Sequence, residues 1–518
     1  MSWGGEVVPV RVGGIDYKMY AERPRRLSEL VPFAARWGDR PHIVQGDRVV
    51  RFDEFGAAVA SRAVWLEAAG IGEGDRVVIL GWNSPEWIVN FWAIVSVGAV
   101  AVLANSWWSD AELADALKKV EPRAVVAHDR LAARVPPEWP VLPWTADVDL
   151  AALGMPAGDP STDENAPAAI IFTSGTSGTP KAAVLSHRAL LAGLQMLLHI
   201  TRRLPHQVDE SAGEAALHTG PMFHVGGIQT LLRAICVGDT LVMPAGKFDP
   251  AEAMRLIEAW HIRRWSAVPT MVTRVLNDPE IGRYDLSTLR SLTVGGAPIH
   301  ADLLASIRTG FPGTEPRIAT GYGLTENGGQ AVAASGKDTV DRPGATGRAL
   351  PCVELRIAES AEGTDGEVLL RSPTQMTGYL GADASPIDAE GWLHTGDLGR
   401  VDDGYLWITG RSKDMIIRGG ENIAPAAVEA ALVALPTVDD ALVFGLPNPD
   451  LGEEVAAIVV PAPGFDQDEV ARTLRATIAG FSVPTRWFQA DEPFPLTHSG
   501  KVDKNAVVSR LRAAEIAG

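Results

Sequence analysis

The sequence predicts a large N-terminal α/β domain of mixed sheets layered with helices, followed by a small α+β domain. Three observations predict it. Helical apolar patterns alternate with short apolar runs over most of the chain. A chain of 518 residues, 46% of them apolar, exceeds one compact core and suggests two to four units. Near Gly410 the texture changes, leaving about 100 residues, a common domain size.

In chain order, Phe55, Ala58, Val59, Ala63 and Leu66 fall at helical spacing and lead through Gly70, Gly72 and Gly74 into a strand at 77–80. Ser84 can cap the next helix, with Pro85 at its first position. Residues 87–104 are the most apolar stretch, but Asn90 and Gly98 interrupt it and it is short for a membrane span, which needs about 20 apolar residues. It reads as a buried helix ending near Gly98 and a core strand at 99–103. Further strands are expected at 124–127, 241–243, 265–268 and 292–294. Ser186 can cap a helix whose Leu190, Leu191, Leu194, Leu197 and Leu198 share one face. Glycine- and proline-rich connections are expected at 134–160, 209–216 and 333–347. Strand-like runs at 405–409 and 415–417 flank Arg411, Ser412, Lys413 and Asp414; helices at 428–435 and 468–478 and strands at 441–444 and 456–460 follow. A boundary at Lys413 divides the chain into domains 1–412 and 413–518.

With 46 Lys and Arg against 64 Asp and Glu, the net charge of -18 argues against a nucleic-acid partner and requires local donors for any bound anion. Two cysteines, Cys236 and Cys352, cannot form a disulfide framework, and each reads as a small buried hydrophobe. No signal peptide is visible and no membrane span is expected, so the expected compartment is the cytoplasm.

The chemistry is concentrated in residues 170–187. Between two apolar runs lie Thr173, Ser174, Gly175, Thr176, Ser177 and Gly178, whose amides and hydroxyls can converge on an anion, and Lys181 closes the loop with a charge. A Walker A loop carries Gly-Lys-Ser/Thr and opens into a helix. Here Pro180 precedes Lys181 and an apolar run follows, so a strand-loop-strand phosphate loop is expected.

Four further stretches carry polar residues that a core would not need: Gly321-Tyr322-Gly323-Leu324-Thr325-Glu326, His394-Thr395-Gly396-Asp397, Gly410-Arg411-Ser412-Lys413-Asp414 and Thr497-His498-Ser499-Gly500-Lys501. Together with the loop, and in this order, they resemble the adenylate-forming superfamily of acyl-CoA and aryl-CoA synthetases, peptide-synthetase adenylation domains and firefly luciferase. The resemblance covers essentially the whole chain and implies ATP, magnesium and coenzyme A as cofactors. That chemistry joins a carboxylate to the α-phosphate of ATP and releases pyrophosphate, so donors and cations must dominate the site.

The resemblance assigns the loop to the β and γ phosphates, Tyr322 to adenine, Thr325 to the α-phosphate and Glu326 to magnesium, with Gly321 and Gly323 flanking the tyrosine. It gives Asp397 and Arg411 the ribose, and the backbone of Gly295, Gly296, Ala297 and Pro298 the space between adenine and acid. Lys501 would bridge the acid's carboxylate and the α-phosphate. For the second half-reaction the small domain, mobile in the family, would swing about Lys413, bringing Gly420 to the site in place of Lys501 and leaving room for the pantetheine arm.

Residues 216–227 are similar to the family's acid-pocket segment. Where peptide-synthetase domains usually carry aspartate this chain has His224, which makes amino acids poor candidates; His224 would lie beside the acid. Gly226 and Gly227 would leave room for a bulky or long acid, and Asn105-Ser106-Trp107-Trp108 is similar to a stretch in some fatty-acyl synthetases. Leu496 and Ala427 depart from the usual pattern, at positions that bear on docking of the small domain.

The resulting expectation is an ATP-dependent acid:CoA ligase acting through an acyl-adenylate, on a fatty or other bulky apolar acid. The alternatives are an acyl-AMP ligase that loads a carrier protein, an aryl-CoA ligase and, from another class, a non-catalytic nucleotide or acyl-adenylate binding protein. The sequence leaves open the acid, the acceptor and the oligomeric state, a homodimer included.

Overall fold

The computed structural model describes residues 3–145, 163–173, 180–295, 301–311, 313–314, 318–342, 344–358, 365–382, 384–411, 414–418, 421–448, 451–497, 502–504, 506–508 and 511. Two large sheets dominate these residues. The first has seven strands, with Arg76–Leu80, Val100–Leu103 and Ala124–Ala127 parallel at its centre and Pro167–Thr173, Lys181–Ser186 and Gly378–Tyr379 toward one edge. The second has nine, with Ala215–His218, Arg264–Ala267, Ser291–Val294 and Ile318–Leu324 as successive parallel neighbours.

Helices fill the space between the sheets because their apolar positions repeat with the helical period. Phe52–Ala68 buries Phe55, Val59, Ala63 and Leu66. Pro85–Ser96 starts where expected, with Ser84 accepting from the Trp87 amide. His187–Ile200 is capped by Ser186, which accepts from the Ala189 amide. With Val225–Val237 these helices share one core with Ile79 and Ile171 of the first sheet and Ile43, Ala216 and Leu241 of the second. The outer face of the first sheet buries Val78, Val102 and Ile170 with Leu113 and Leu117, and that of the second buries Trp265, Leu292 and Ile318 with Met254 and Ile257. The order is helix, sheet, helices, sheet, helix, as expected for a layered α/β body.

A four-stranded antiparallel sheet of Glu354–Ile357, Gly366–Arg371, Leu393–Asp402 and Tyr405–Arg411 follows. The next strand, Ile416–Arg418, belongs to a separate sheet with Glu421–Ile423, Val438–Asn448, Gly452–Pro461 and Arg486–Gln489, covered by helices Pro425–Val433 and Gln467–Thr477. Sheet membership changes between Arg411 and Ile416, around the predicted boundary at Lys413, which itself lies outside the described residues. The connection expected at 333–347 is more ordered than its composition suggests: Gly329–Ser335 pairs with Ile318–Leu324, and a short helix spans Lys337–Asp341. Its Ala and Ser residues carry little strand propensity, and pairing to a parallel core strand supplies the order.

Cys236 and Cys352 are buried and free. Burial pushes the Cys236 thiol up and the Cys352 thiol up to about 12, which leaves both protonated. Among the described residues no helix is long and apolar enough to cross a membrane.

Three buried histidines make stability pH-dependent. Burial lowers His42 to about 4, His187 to about 3 and His218 to about 4, against an ordinary 6.5. Below pH 6.5 the unfolded chain binds protons that the folded chain refuses. Each histidine therefore removes about 1.4 kcal/mol of stability per pH unit as pH falls toward its folded value. The urea midpoint is expected to drop between pH 7 and 5, and less steeply in His218→Gln. A midpoint constant over that range would contradict the burial of these rings.

Candidate active site

The two feet of the loop expected to bind phosphate face each other. Thr173 ends one strand and Lys181 begins the next, and the two residues are direct antiparallel partners. This is the strand-loop-strand form expected from Pro180 and the apolar run after Lys181. Ser174, Gly175, Thr176, Ser177 and Gly178 lie outside the described residues.

Tyr322 and Asp397 meet across 75 residues of sequence. The strand Ile318–Leu324 carries Tyr322, whose hydroxyl donates to Asp397 Oδ2 at 2.6 Å. Asp397 and Arg411 are cross-strand partners in the four-stranded sheet, and Arg411 Nε lies 2.8 Å from Asp397 Oδ1. The Asp397 side chain is 7% exposed and that of Arg411 56%, so the carboxylate is buried and its counter-ion faces solvent. Burial first, and the Asp397 charge second, push Tyr322 well above the usual phenol range, so it stays a donor. The turn before Asp397 is braced by Glu367, whose Oε1 accepts from the Gly396 amide at 3.0 Å and whose Oε2 meets His394 Nδ1 at 2.9 Å.

Gly323 serves packing as well as access. The pairing with the neighbouring strand shifts register between Tyr322 and Gly323, and a Cβ at Gly323 would collide with the Gly329 carbonyl. Thr325 and Glu326 lie in a single 3-10 turn, Thr325–Asn327, directly after this strand. Tyr379, absent from the sequence-based expectations, donates to Glu326 Oε1 at 2.6 Å, and Lys181 Nζ lies 5.0 Å from the centroid of the same ring. Tyr379 is reachable only through tertiary pairing, on a two-residue strand beside the second foot of the loop.

His224 sits at the N-terminal boundary of the helix Val225–Val237, half-buried, its ring 4.8 Å from that of Phe223. The two glycines after it differ. A Cβ at Gly226 would meet nothing within 4 Å, but one at Gly227 would lie 2.7 Å from Met222 Cα. Gly227 is therefore small to let the helix close onto the preceding turn, which corrects the expectation that both glycines make room for substrate. The helix is tied to the Glu326 turn through Gln229, which donates to the Gly328 carbonyl at 3.3 Å. Trp108 packs edge-on to Phe172 in the outer core and Trp107 lies beside Lys247, so both tryptophans have structural neighbours.

Beyond His224 the parallel register places His218, Ser266, Thr293 and Ala319 in one row on the sheet face that also carries Ala216, a core neighbour of this helix, with Arg264 and Ser291 in the same register two residues below. Ser266 is exposed and Thr293 half-buried. His218 is 5% exposed and its Nε2 has no hydrogen-bond partner among the described residues. Arg233, on the helix face that also carries Gly226 and Thr230, reaches Asp239 Oδ2 at 3.2 Å, and Arg264 pairs with the same oxygen. Arg264 and Arg203 both also reach Glu214, at 3.2 and 3.3 Å.

Glu326 fits magnesium, a hard cation that takes carboxylate oxygens and usually only one or two of them from protein. Among the described residues only its Oε1 has a hydrogen-bond donor, and no cluster of three or more potential metal ligands occurs. Gly296, Ala297, Pro298, Lys413, Gly420 and Lys501 lie outside the described residues.

Residues 31–380 match the model of the AMP-binding enzyme family and residues 427–501 that of the AMP-binding enzyme C-terminal domain. The chain belongs to the AMP-binding enzyme family. It is 32% identical to feruloyl-CoA synthase from Amycolatopsis sp, over 91% of this chain and 96% of that protein. It is 32% identical to indoleacetate--CoA ligase from Aromatoleum aromaticum, over 91% and 97%. Its fold is similar to that of o-succinylbenzoate coenzyme A synthetase from Bacillus subtilis in complex with ATP and magnesium ion, with a TM-score of 0.78, 25% identity and coverage of 92% and 98%. It is also similar to ATP-bound MatB from Rhodopseudomonas palustris, with a TM-score of 0.81, 28% identity and coverage of 93% and 98%. The chain is thus an adenylate-forming acid-thiol ligase of the acyl/aryl-CoA branch, with ATP, magnesium and coenzyme A as its cofactors.

Proposed function

We propose that the chain joins a ring-bearing carboxylic acid with an oxygen function at its far end to coenzyme A, through an acyl-adenylate. The observation that carries the choice of acid is the row Ser266, Thr293 and Ala319 across three parallel strands, with Arg264 two residues below and paired, like Arg233, to Asp239. Small and polar side chains on the strands, with Gly226 exposed and Thr230 half-buried on the helix, are surfaces that core packing does not fill and that an acid could use. From Gly295 down to Ser291 the strand falls roughly 13 Å, enough for one or two rings. At the lower end three guanidinium groups (Arg203, Arg233, Arg264) face two carboxylates (Glu214, Asp239), so a carbonyl, hydroxyl or carboxylate finds donors there. A hydrocarbon tail would desolvate these charges without compensation. The named acids of the relatives, ferulate and indoleacetate, both carry rings and favour a ring-bearing acid over a fatty acid, and ferulate also carries oxygen at its far end.

The roles follow the chemistry. Thr173 to Gly178 and Lys181 hold the phosphates that leave as pyrophosphate. Tyr322 gives adenine a flat face, while Asp397 and Arg411 take the ribose hydroxyls and Thr325 donates to the α-phosphate. Glu326 would hold magnesium, which would supply charge neutralisation for the transferring phosphoryl group. Lys501 brings the acid's carboxylate to the α-phosphate, and His224 and the backbone of Gly296, Ala297 and Pro298 border the acid. The small domain, 413–518, then turns about Lys413 and Gly420 admits the thiol. The change of sheet between Arg411 and Ile416 supports that hinge.

The test is thioester yield across hydroxylated aromatic, unsubstituted aromatic and long-chain acids, with free coenzyme A and with a phosphopantetheinyl carrier protein. Oxygenated ring acids and free coenzyme A are expected to give kcat/KM at least tenfold above a sixteen-carbon fatty acid. Ser266→Leu should lower kcat/KM for the acid about tenfold with KM for ATP unchanged. Equal turnover of the fatty acid, or turnover only with the carrier protein, would contradict the proposal.

A further inference from the structure

We propose that Tyr379 is a positioning residue that fixes the Glu326 carboxylate for the metal and ties it to both feet of the phosphate loop. The proposal rests on the reading that Glu326 holds magnesium. Three contacts converge on this one side chain. Its hydroxyl donates to Glu326 Oε1 at 2.6 Å. The Thr173 side chain, at the first foot, lies close enough to the phenol to act on its ionisation. The Lys181 ammonium, at the second foot, lies over its ring with Nζ 5.0 Å from the centroid.

The backbone around it is fixed on both sides. Tyr379 pairs with Ala183, the Leu380 amide donates to the Ala182 carbonyl at 2.9 Å, and the Thr377 amide donates to the Val184 carbonyl at 2.9 Å. On the other side the Met376 amide donates to the carbonyl of Glu326 itself at 2.9 Å. Residues 376–380 are thus a strap between the strand that begins at Lys181 and the turn that carries Glu326. A phenol has one proton to donate. Spending it on Oε1 leaves Oε2 for a cation and restricts the carboxylate to one orientation before metal arrives, which is how outer-shell donors tune a ligand. The same ring gives the Lys181 cation a face to rest on while its ammonium stays available to phosphate.

Tyr379→Phe separates these two effects, because it keeps the ring under Lys181 and removes only the hydroxyl. Mn2+ binding in the presence of a non-hydrolysable ATP analogue, read by electron paramagnetic resonance, is expected to weaken about tenfold in this variant, the loss of one hydrogen bond to a charged group. AMP binding without metal should stay within twofold. In the Glu326→Gln background, Tyr379→Phe should add nothing to the loss of Mn2+ affinity. If Glu326→Gln weakens Mn2+ binding and Tyr379→Phe does not, or if the two losses simply add, the role of Tyr379 is overturned while Glu326 keeps its own. If Glu326→Gln leaves Mn2+ binding unchanged, the assignment of Glu326 falls and the proposal falls with it.

Discussion

Lys501→Ala is expected to lower acyl-adenylate formation by a factor on the order of hundreds, while a supplied acyl-adenylate is still converted to the thioester at close to the wild-type rate. The acid's carboxylate and the α-phosphate are both anionic, and an ammonium between them offsets a repulsion that no neutral side chain can. Once the adenylate exists that repulsion is gone, and a lysine in this role would have no further work. Gly420→Leu should show the converse: normal adenylation, measured as pyrophosphate release, with loss of thioester formation, because the added side chain would occupy the path of the thiol. Both residues follow the change of sheet between Arg411 and Ile416. Loss of both steps to the same degree in both variants would contradict a small domain that presents each residue in turn.

Asp397→Asn is expected to weaken ATP and AMP alike, by roughly 10- to 100-fold. The carboxylate is 7% exposed and engages Tyr322 through Oδ2 and Arg411 through Oδ1. Its remaining lone pairs are the acceptors that a ribose would use, and a neutral amide there offers one acceptor oxygen and leaves Arg411 without its counter-ion. Because AMP shares the ribose with ATP, equilibrium binding of AMP is the decisive measurement. AMP affinity within twofold of wild type would remove Asp397 from the sugar site.

Much of the fold was legible because its signals are local. The caps at Ser84 and Ser186, the helical stripes after each, and the apolar strand runs all depend on residues within one turn or one strand of each other. The strands that flank residues 174–179 were legible for the same reason: Pro180 and the apolar run after Lys181 require a strand to follow. The small domain's strands at 441–444 and 456–460 also fell within the observed elements, and its helices expected at 428–435 and 468–478 overlap the observed Pro425–Val433 and Gln467–Thr477, which end two residues and one residue earlier.

What escaped depends on register and tertiary pairing. Nothing local marks Tyr379 as the partner of Glu326, 53 residues earlier, or Glu367 as the brace of the turn before Asp397. The row formed by Ser266, Thr293 and Ala319 exists only once three strands are aligned. Gly227 misled because an absent side chain signals close packing and open space equally well, and only the position of Met222 separates the two. The tryptophans at 107 and 108 likewise needed their neighbours, Lys247 and Phe172, to be placed.

The most direct measurement of the central claim is the exchange of radiolabelled pyrophosphate into ATP, with magnesium and acid present and coenzyme A absent. A reversible acyl-adenylate step predicts exchange that requires the acid, is strongest with an oxygenated ring acid, and disappears in Lys501→Ala. Thioester formation from that same acid without any acid-dependent exchange would contradict it.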